Sequence, residues 1–94
     1  MLNSKQRAHL SSFSTKIPVT MQIGKDGLSE ESFIQVEQML KKKELIKVRL
    51  LNNSEENLTE TAEKICKETN CELVKIIGKI MIFYKKTNKP KIII

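Results

Sequence analysis

The stretch Gly24-Lys25-Asp26-Gly27 marks a junction around which the rest of the chain must be arranged. Before it, residues 19–23 alternate apolar and polar side chains, which is typical of a half-buried strand. After it, Ser29 is a strong helix N-cap, because two glutamates follow in the first turn, where their charge complements the helix dipole. The sequence therefore predicts a strand, a glycine loop and a helix in direct succession.

This glycine loop has two interpretations. Two glycines around Lys25, just before a helix N-terminus, form a natural cradle for a phosphate group, because glycine allows close approach and the orphan N–H groups favour an anion. The same tetrapeptide can instead be only a tight turn. Asp26 opposes a phosphate unless its carboxylate caps a local N–H group. Nucleic acid is the first partner to test.

The other segments also separate into helical and strand periodicities. We predict a first helix over residues 4–13, capped by Asn3 or Ser4, with Leu10 and Phe13 facing inward. The second and third helices are expected over 30–43 and 55–69. Further strands are expected over 44–51, 72–77 and 80–86, the last two joined by a two-residue type II′ turn at Gly78-Lys79. Asn70 is expected in the left-handed conformation that ends a helix.

The resulting order, α-β-α-β-α-β-β, predicts an α/β (α+β) fold with a small four-stranded mixed sheet packed with three helices. The second and third helices should cover the apolar strand faces, which in the third strand we assign to Val74 and Ile76. The first helix could shield part of the other face. That other face is expected to carry Lys47, Arg49, Lys75, Lys85, Met81 and Phe83.

Length and composition indicate one globular domain. The 94 residues suffice for a modest core, so we assign residues 1–86 to a single domain and 87–94 to a basic and apolar tail. With 39% hydrophobic and 30% charged residues, the chain has apolar runs far shorter than a membrane span. It shows no signal-peptide pattern, so we expect a cytoplasmic protein in which Cys66 and Cys71 are reduced. We also expect the protein to be a monomer.

The net charge of +6 is unevenly distributed. Residues 52–72 contain six glutamates against two lysines, whereas residues 73–94 contain six lysines and no acid. This asymmetry predicts one acidic and one basic surface. A basic surface is the electrostatic footprint of a phosphate-backbone binder, although the lysines could serve solubility alone. The candidate nucleic-acid contacts are Gly24, Lys25, Asp26, Gly27, Lys5, Arg7, Lys47, Arg49, Lys75, Lys79 and Lys85.

The sequence gives little support for catalysis or metal binding. His9 is the one histidine, and no acid or cysteine lies near it in sequence, so we expect it to point into solvent. Cys66 and Cys71 are too few for a structural zinc site, and an inert thiol at Cys66 is the simpler interpretation. We predict no catalytic residues, metal or cofactor. Aromatic residues make up 4% of the chain, which disfavours stacking on several bases and suits contact with the backbone of structured RNA.

Four motifs in order resemble the YhbY family, the stand-alone bacterial form of the CRM domain. They cover roughly residues 2 to 86. They are Leu2-Asn3-Ser4-Lys5-Gln6-Arg7, the pattern Val-x-x-x-Ile-Gly-Lys-x-Gly-Leu-Ser over Val19 to Ser29, Glu44-Leu45-Ile46-Lys47-Val48, and Ile77-Gly78-Lys79 followed by Phe83-Tyr84-Lys85.

The resemblance implies an RNA-binding domain similar in fold to the C-terminal domain of bacterial translation initiation factor three. Bacterial members of the family are associated with precursors of the large ribosomal subunit, which implies ribosomal RNA and pre-ribosomal particles as partners. The family's glycine loop, here Gly24 to Gly27, is likened to the G-x-x-G loop of KH domains. The chain departs from the family at Thr69-Asn70-Cys71, where Thr-Gly-Gly or Thr-Gly-Ala is usual, and at Tyr84-Lys85, where Tyr-Arg is common.

Two other functions remain open at this point. A protein-interaction module of a ribonucleoprotein complex would use the acidic third helix or the isoleucine-rich tail and make no direct contact with RNA. A small hydrolase or nuclease is disfavoured because the sequence shows no paired acids, metal cluster or placed histidine.

Overall fold

The computed structural model describes residues 2–24, 29–51 and 58–87. Within these ranges the element order and the α+β class agree with the prediction. The leucine at position 28 and the tail from residue 88 onward lie outside the described residues. The elements are α1 (Ser4–Ser14), β1 (Met21–Ile23), α2 (Glu30–Lys43), β2 (Leu45–Leu50), α3 (Leu58–Thr69), β3 (Glu72–Ile77) and β4 (Ile80–Tyr84).

The four strands form one mixed sheet in the order β1-β2-β4-β3. β1 pairs with β2 in parallel, and β4 pairs antiparallel with both β2 and β3. Gly78 opens the β3–β4 turn with φ of 59°, whereas the φ of Lys79 is not positive, as in a type II′ turn. The predicted hairpin is therefore confirmed, and β4 inserts between the two strands that α3 connects.

The predicted helix starts at Asn3 and Ser29 are both confirmed. In α1, the Asn3 side chain accepts from Gln6 N at 2.8 Å, and the Gln6 side chain accepts from Asn3 N at 3.0 Å. In α2, Ser29 and Ser32 exchange the same pair of bonds at 3.3 and 3.4 Å. These reciprocal bonds satisfy N–H groups that have no partner within the helix.

The main core lies between the sheet and helices α2 and α3. It contains Val36 and Leu40 from α2 and Ala62 and Ile65 from α3. Met81 and Phe83 also lie in this core, so their predicted place beside the lysines was wrong. The β2–β4 register pairs Ile46 with Phe83 and Val48 with Met81, and paired residues point to the same side of a sheet. The sheet residues of this core are Met21, Ile23, Ile46, Val48, Leu50, Met81 and Phe83.

A register shift in β3 changes which side its residues face. The shift lies between Leu73 and Lys75, so Val74 joins the cluster under α1 while Ile76 packs against the main core. We predicted one common face for Val74 and Ile76 from strict alternation. That prediction was wrong because an extra residue in a strand reverses the phase of the side chains that follow it.

Helix α1 covers one end of the opposite sheet face. Leu10 is fully buried there, whereas Phe13, which we predicted to point inward, is 39% exposed. The backbone N–H of Leu2 donates to Glu72 Oε2 at 2.7 Å and fastens the start of α1 to β3. Tyr84 is buried in this cluster, and burial together with the charge of Glu44 raises the pKa of its hydroxyl. The residues buried under α1 are Leu2, Leu10, Leu45, Val74, Ile82 and Tyr84.

Candidate nucleic-acid interface

Three predicted cations lie on the sheet face that α1 covers only in part. Lys47 and Lys75 both pair with Ile82, one from each side, and Arg49 pairs with Ile80. Since Ile80 and Ile82 belong to the cluster on the α1 side, the three cations point to that side too. Arg49 and Lys75 are exposed, and Lys47 is half-buried. The alternation that buries Ile46 and Val48 thus turns these basic residues outward.

The fourth cation of this surface lies in the hairpin turn at one end of the sheet. Lys79 is exposed, and its backbone oxygen accepts from Leu50 N at 2.8 Å, so the turn lies against the end of β2. We call Lys47, Arg49, Lys75 and Lys79 the basic sheet face.

The glycine loop begins at this same end of the sheet. Leu51 N donates to Ile23 O at 2.9 Å, which places the end of β1, and hence Gly24, beside the end of β2. Ser29, on the other side of the loop, caps α2. Lys25, Asp26 and Gly27 lie outside the described residues, so the phosphate cradle stays a prediction. The structure places only the residues on either side of it, Gly24 and Ser29.

Packing does not require a glycine at position 24. A Cβ atom built there would lie 3.7 Å from Leu51 Cδ1, which is an ordinary contact distance, and the φ of Gly24 lies outside the left-handed region. Among the described residues, neither the φ of Gly24 nor a neighbouring side chain therefore explains this glycine.

Lys85 is separated from the basic sheet face. Tyr84 is buried on the α1 side, so the next residue points to the opposite side, where Lys85 Nζ donates to Thr69 O at 2.9 Å. This bond satisfies a carbonyl group at the C-terminal end of α3. The prediction that Lys85 shares a face with Lys47 was wrong, because the charge pattern does not show on which side a residue at a strand end will lie.

The two α1 cations differ in their surroundings. Lys5 and Arg7 are both exposed, as predicted. Arg7 lines a cavity of about 300 Å³ together with Lys75, so it extends the basic sheet face toward α1. Lys5 lines neither that cavity nor the sheet face.

A second basic surface was missed by the sequence analysis. A cavity of about 390 Å³ lies between the C-terminal ends of α1 and α2, where three lysines surround an apolar floor. The helix dipole alone accounts for Lys42 and Lys43 in the last turn of α2, and Lys16 follows a helix end in no recognisable pattern. The sequence does not show that the C-terminal ends of α1 and α2 lie next to each other, so it does not predict this cavity. The cavity is lined by Phe13, Lys16, Ile17, Pro18, Thr20, Lys42, Lys43 and Leu45.

The exposed glutamates of α3 lie across the sheet from the basic sheet face. Helix α3 packs on the main core through Ala62 and Ile65 and exposes Glu63 and Glu68 to solvent. The basic sheet face lies across the sheet from these carboxylates. Lys64 and Lys67 are exposed on the same helix, and residues 55–56 lie outside the described residues, so the separate acidic surface stays a prediction.

The described parts of the chain offer little for metal binding or membrane insertion. Among those residues, no three histidine, cysteine or acidic side chains are grouped so that they could hold a metal ion. No helix within them has the length and apolar character needed to cross a membrane. His9 is exposed and meets Phe13 edge to face, with ring centroids 5.0 Å apart.

Comparison with known proteins gives consistent relatives. Residues 2–85 match the CRS1 / YhbY (CRM) domain. Probable RNA-binding protein YqeI of Bacillus subtilis is 34% identical, over 97% of this chain and 95% of its own length. Probable RNA-binding protein PA4753 of Pseudomonas aeruginosa is 27% identical, over 95% of this chain and 86% of its own. The solution structure of SAV1595 from Staphylococcus aureus superposes with a TM-score of 0.83 at 36% identity, covering 97% of this chain and 95% of that one.

Proposed function

The chain belongs to the CRS1 / YhbY (CRM) domain family, and from this membership and its charge distribution we propose that it is a non-enzymatic RNA-binding protein. The relatives YqeI and PA4753 carry the name RNA-binding protein. The observation that carries the proposal is the basic sheet face, an open surface of four cations that ends where the glycine loop begins. Clustered cations on one face provide the phosphate contacts from which most nucleic-acid affinity arises.

The burial of the aromatic residues of β4 favours structured RNA over single-stranded RNA as the ligand. Single-stranded RNA is commonly read by aromatic side chains on which splayed bases stack. Phe83 and Tyr84, the aromatic residues of β4, are buried at 0% and 4% exposure. The exposed residues on this side include Arg49 and Lys75 together with the aliphatic Ile77 at 48% exposure, and such cations suit the phosphate backbone and shape of structured RNA.

Gly24 supports a role for the glycine loop. Neither φ nor a described neighbour requires a glycine at position 24, and a residue without a side chain lets a ligand come close to the backbone. In this proposal Lys25 and the N–H groups of the loop hold phosphates next to the N-terminus of α2, while Asp26 faces away from the RNA.

The finer proposal concerns which RNA is bound. We assign structured ribosomal RNA, bound in the cytoplasm by a monomer during assembly of the large subunit, on the resemblance of four motifs to the YhbY family. Crosslinking in cells followed by sequencing of the attached RNA tests this assignment. Enrichment of RNA from the large subunit supports it. Enrichment of other RNAs would contradict the ribosomal assignment and leave RNA binding standing.

Paired charge reversals test the interface itself. Arg49→Glu with Lys75→Glu changes two exposed cations of the basic sheet face. Each lost charge-assisted contact costs about 1.5 kcal/mol, so the double variant should bind a structured ribosomal RNA fragment about 100-fold more weakly. Fluorescence anisotropy measures the affinity, and circular dichroism checks the fold.

The matched control is Lys64→Glu with Lys67→Glu on α3. These lysines are also exposed and the net charge changes equally, but they lie on the helix across the sheet. The control should lose much less affinity than the sheet variant. Equal losses in the two variants would show that net charge, and not this face, determines binding.

A further inference from the structure

The two cysteines are brought together by the way α3 ends. Asn70 adopts φ of 55°, and Cys71 N donates to Cys66 O at 3.3 Å. This is the bond from C″ to C3 of a Schellman motif, in which the side chains at those two positions usually touch. Here both side chains are thiols, and their Sγ atoms lie 4.0 Å apart. Both cysteines are free.

The surroundings of the pair are polar on the Cys71 side. Thr69 Oγ1 lies 3.1 Å from Cys71 Sγ, and the ammonium group of Lys85 is held nearby by its bond to Thr69 O. The hydrogen bond with Cys66 lowers the pKa of the Cys71 thiol, and Thr69 and Lys85 act in the same direction against the effect of burial. The same hydrogen bond and burial raise the pKa of Cys66. Cys71 is therefore the thiol of the pair that loses its proton more readily.

The pair is also reachable from outside. Cys66 is half-buried, and both cysteines line the cavity of about 300 Å³ that Arg7 and Lys75 border. Cys71 itself is buried at the edge of the main core, and the cavity, which Glu72 also lines, is large enough to admit a small oxidant such as hydrogen peroxide.

We propose that Cys66 and Cys71 form a peroxide-reactive dithiol that closes to a disulfide within one chain. The Sγ atoms must approach from 4.0 Å to the bond length of about 2.05 Å. This proposal is independent of RNA binding.

The reaction balances with a hydroperoxide as the oxidant. The Cys71 thiolate attacks one peroxide oxygen, the O–O bond breaks, and the leaving oxygen departs with a proton as water or an alcohol. Cys71 is then a sulfenic acid. The sulfur of Cys66 attacks Cys71 Sγ, the S–S bond forms as the S–O bond breaks, and the hydroxyl group leaves with the Cys66 proton as water.

The full reduced chain treated with hydrogen peroxide tests the proposal by intact mass and peptide mapping. We expect the loss of two hydrogens, a Cys66–Cys71 link in a monomer, and full reversal by dithiothreitol. The link should form faster in the folded chain than in guanidinium. No such mass change, a disulfide between two chains, or an equal rate in the denatured chain would each overturn the proposal.

Single substitutions separate the two thiols. Cys66→Ser leaves the attacking thiol without a partner, so a sulfenic acid should accumulate on Cys71 and be captured by dimedone. Cys71→Ser should give little labelling of Cys66. Stronger labelling of Cys66 than of Cys71 would contradict the assigned roles, and circular dichroism confirms that both variants are folded.

Discussion

Two residues with positive φ show how far single positions are predictable. Asn70 was expected in the left-handed conformation, and its φ of 55° confirms this. Glu44 ends α2 with φ of 62° and was assigned to the start of a strand. Asparagine tolerates this region because its short side chain bonds locally, whereas glutamate has no such preference and gives no warning in the sequence. Glu44 is held there by bonds from its own N–H to Leu40 O at 2.9 Å and from Lys85 N to its oxygen at 3.0 Å.

Substitutions at Asn70 test the backbone requirement directly. The side chain is exposed, so truncation removes little packing. Asn70→Ala places in the left-handed region a residue whose side chain cannot form a local hydrogen bond. The free energy of unfolding should therefore fall by about 1 kcal/mol. Asn70→Gly, the residue usual in the resembled family, should keep or raise stability. Urea denaturation measures both. An alanine variant as stable as the glycine variant would show that the conformation carries no strain.

At the level of elements, the periodicity of apolar residues located the strands correctly. It did not predict, for every strand, which residues lie on which face of the sheet. The alternation in β2 was correct, since Ile46 and Val48 lie in the main core. The faces of β4 depended on its register with β2, and the later residues of β3 depended on the shift after Leu73. Register and bulges arise from pairing between distant segments, which local periodicity does not contain.

Helix α1 depends on very few contacts. Its inward stripe is narrow, and Leu10 is its fully buried apolar side chain, whereas Phe13 is largely outside the core. Leu10→Ala should lower the free energy of unfolding by about 2 to 5 kcal/mol, because it leaves a cavity between α1 and the sheet. Hydrogen exchange should show the amides of α1 losing protection first.

The control for this prediction is Phe13→Ala on the same helix. It removes a larger side chain from a more exposed position, so it should cost clearly less than Leu10→Ala. If Phe13→Ala were the more damaging change, the position of α1 on the sheet would have to be revised.

For the whole molecule, the fold brings together cations that are scattered along the chain. The sequence identified Lys47, Arg49, Lys75 and Lys79 as candidates. The fold brings the first three to one face of the sheet and places Lys79 in the turn at its end. Sequence could not show that Lys85 binds the end of α3, since that contact joins the end of β4 to a helix 16 residues earlier. The cavity between the ends of α1 and α2 was equally invisible, because its lysines come from separate segments.

Salt dependence measures how many phosphates this surface neutralises. For a protein in direct contact with RNA, the logarithm of the binding constant falls linearly with the logarithm of salt concentration, by about 0.7 to 0.9 per phosphate. Arg49→Gln with Lys75→Gln removes two exposed cations of the basic sheet face and should reduce the steepness of that line by about 1.4 to 1.8.

Lys64→Gln with Lys67→Gln on α3 provides the matched comparison and should leave the slope almost unchanged. The slope is more informative than the affinity at one salt concentration, because a general loss of stability weakens binding without removing counterion release. A protein-interaction module with no direct RNA contact would show no binding to purified RNA from which to take a slope. Equal changes in slope for the two pairs would place the RNA over both sides of the sheet and contradict the assignment of a single basic face.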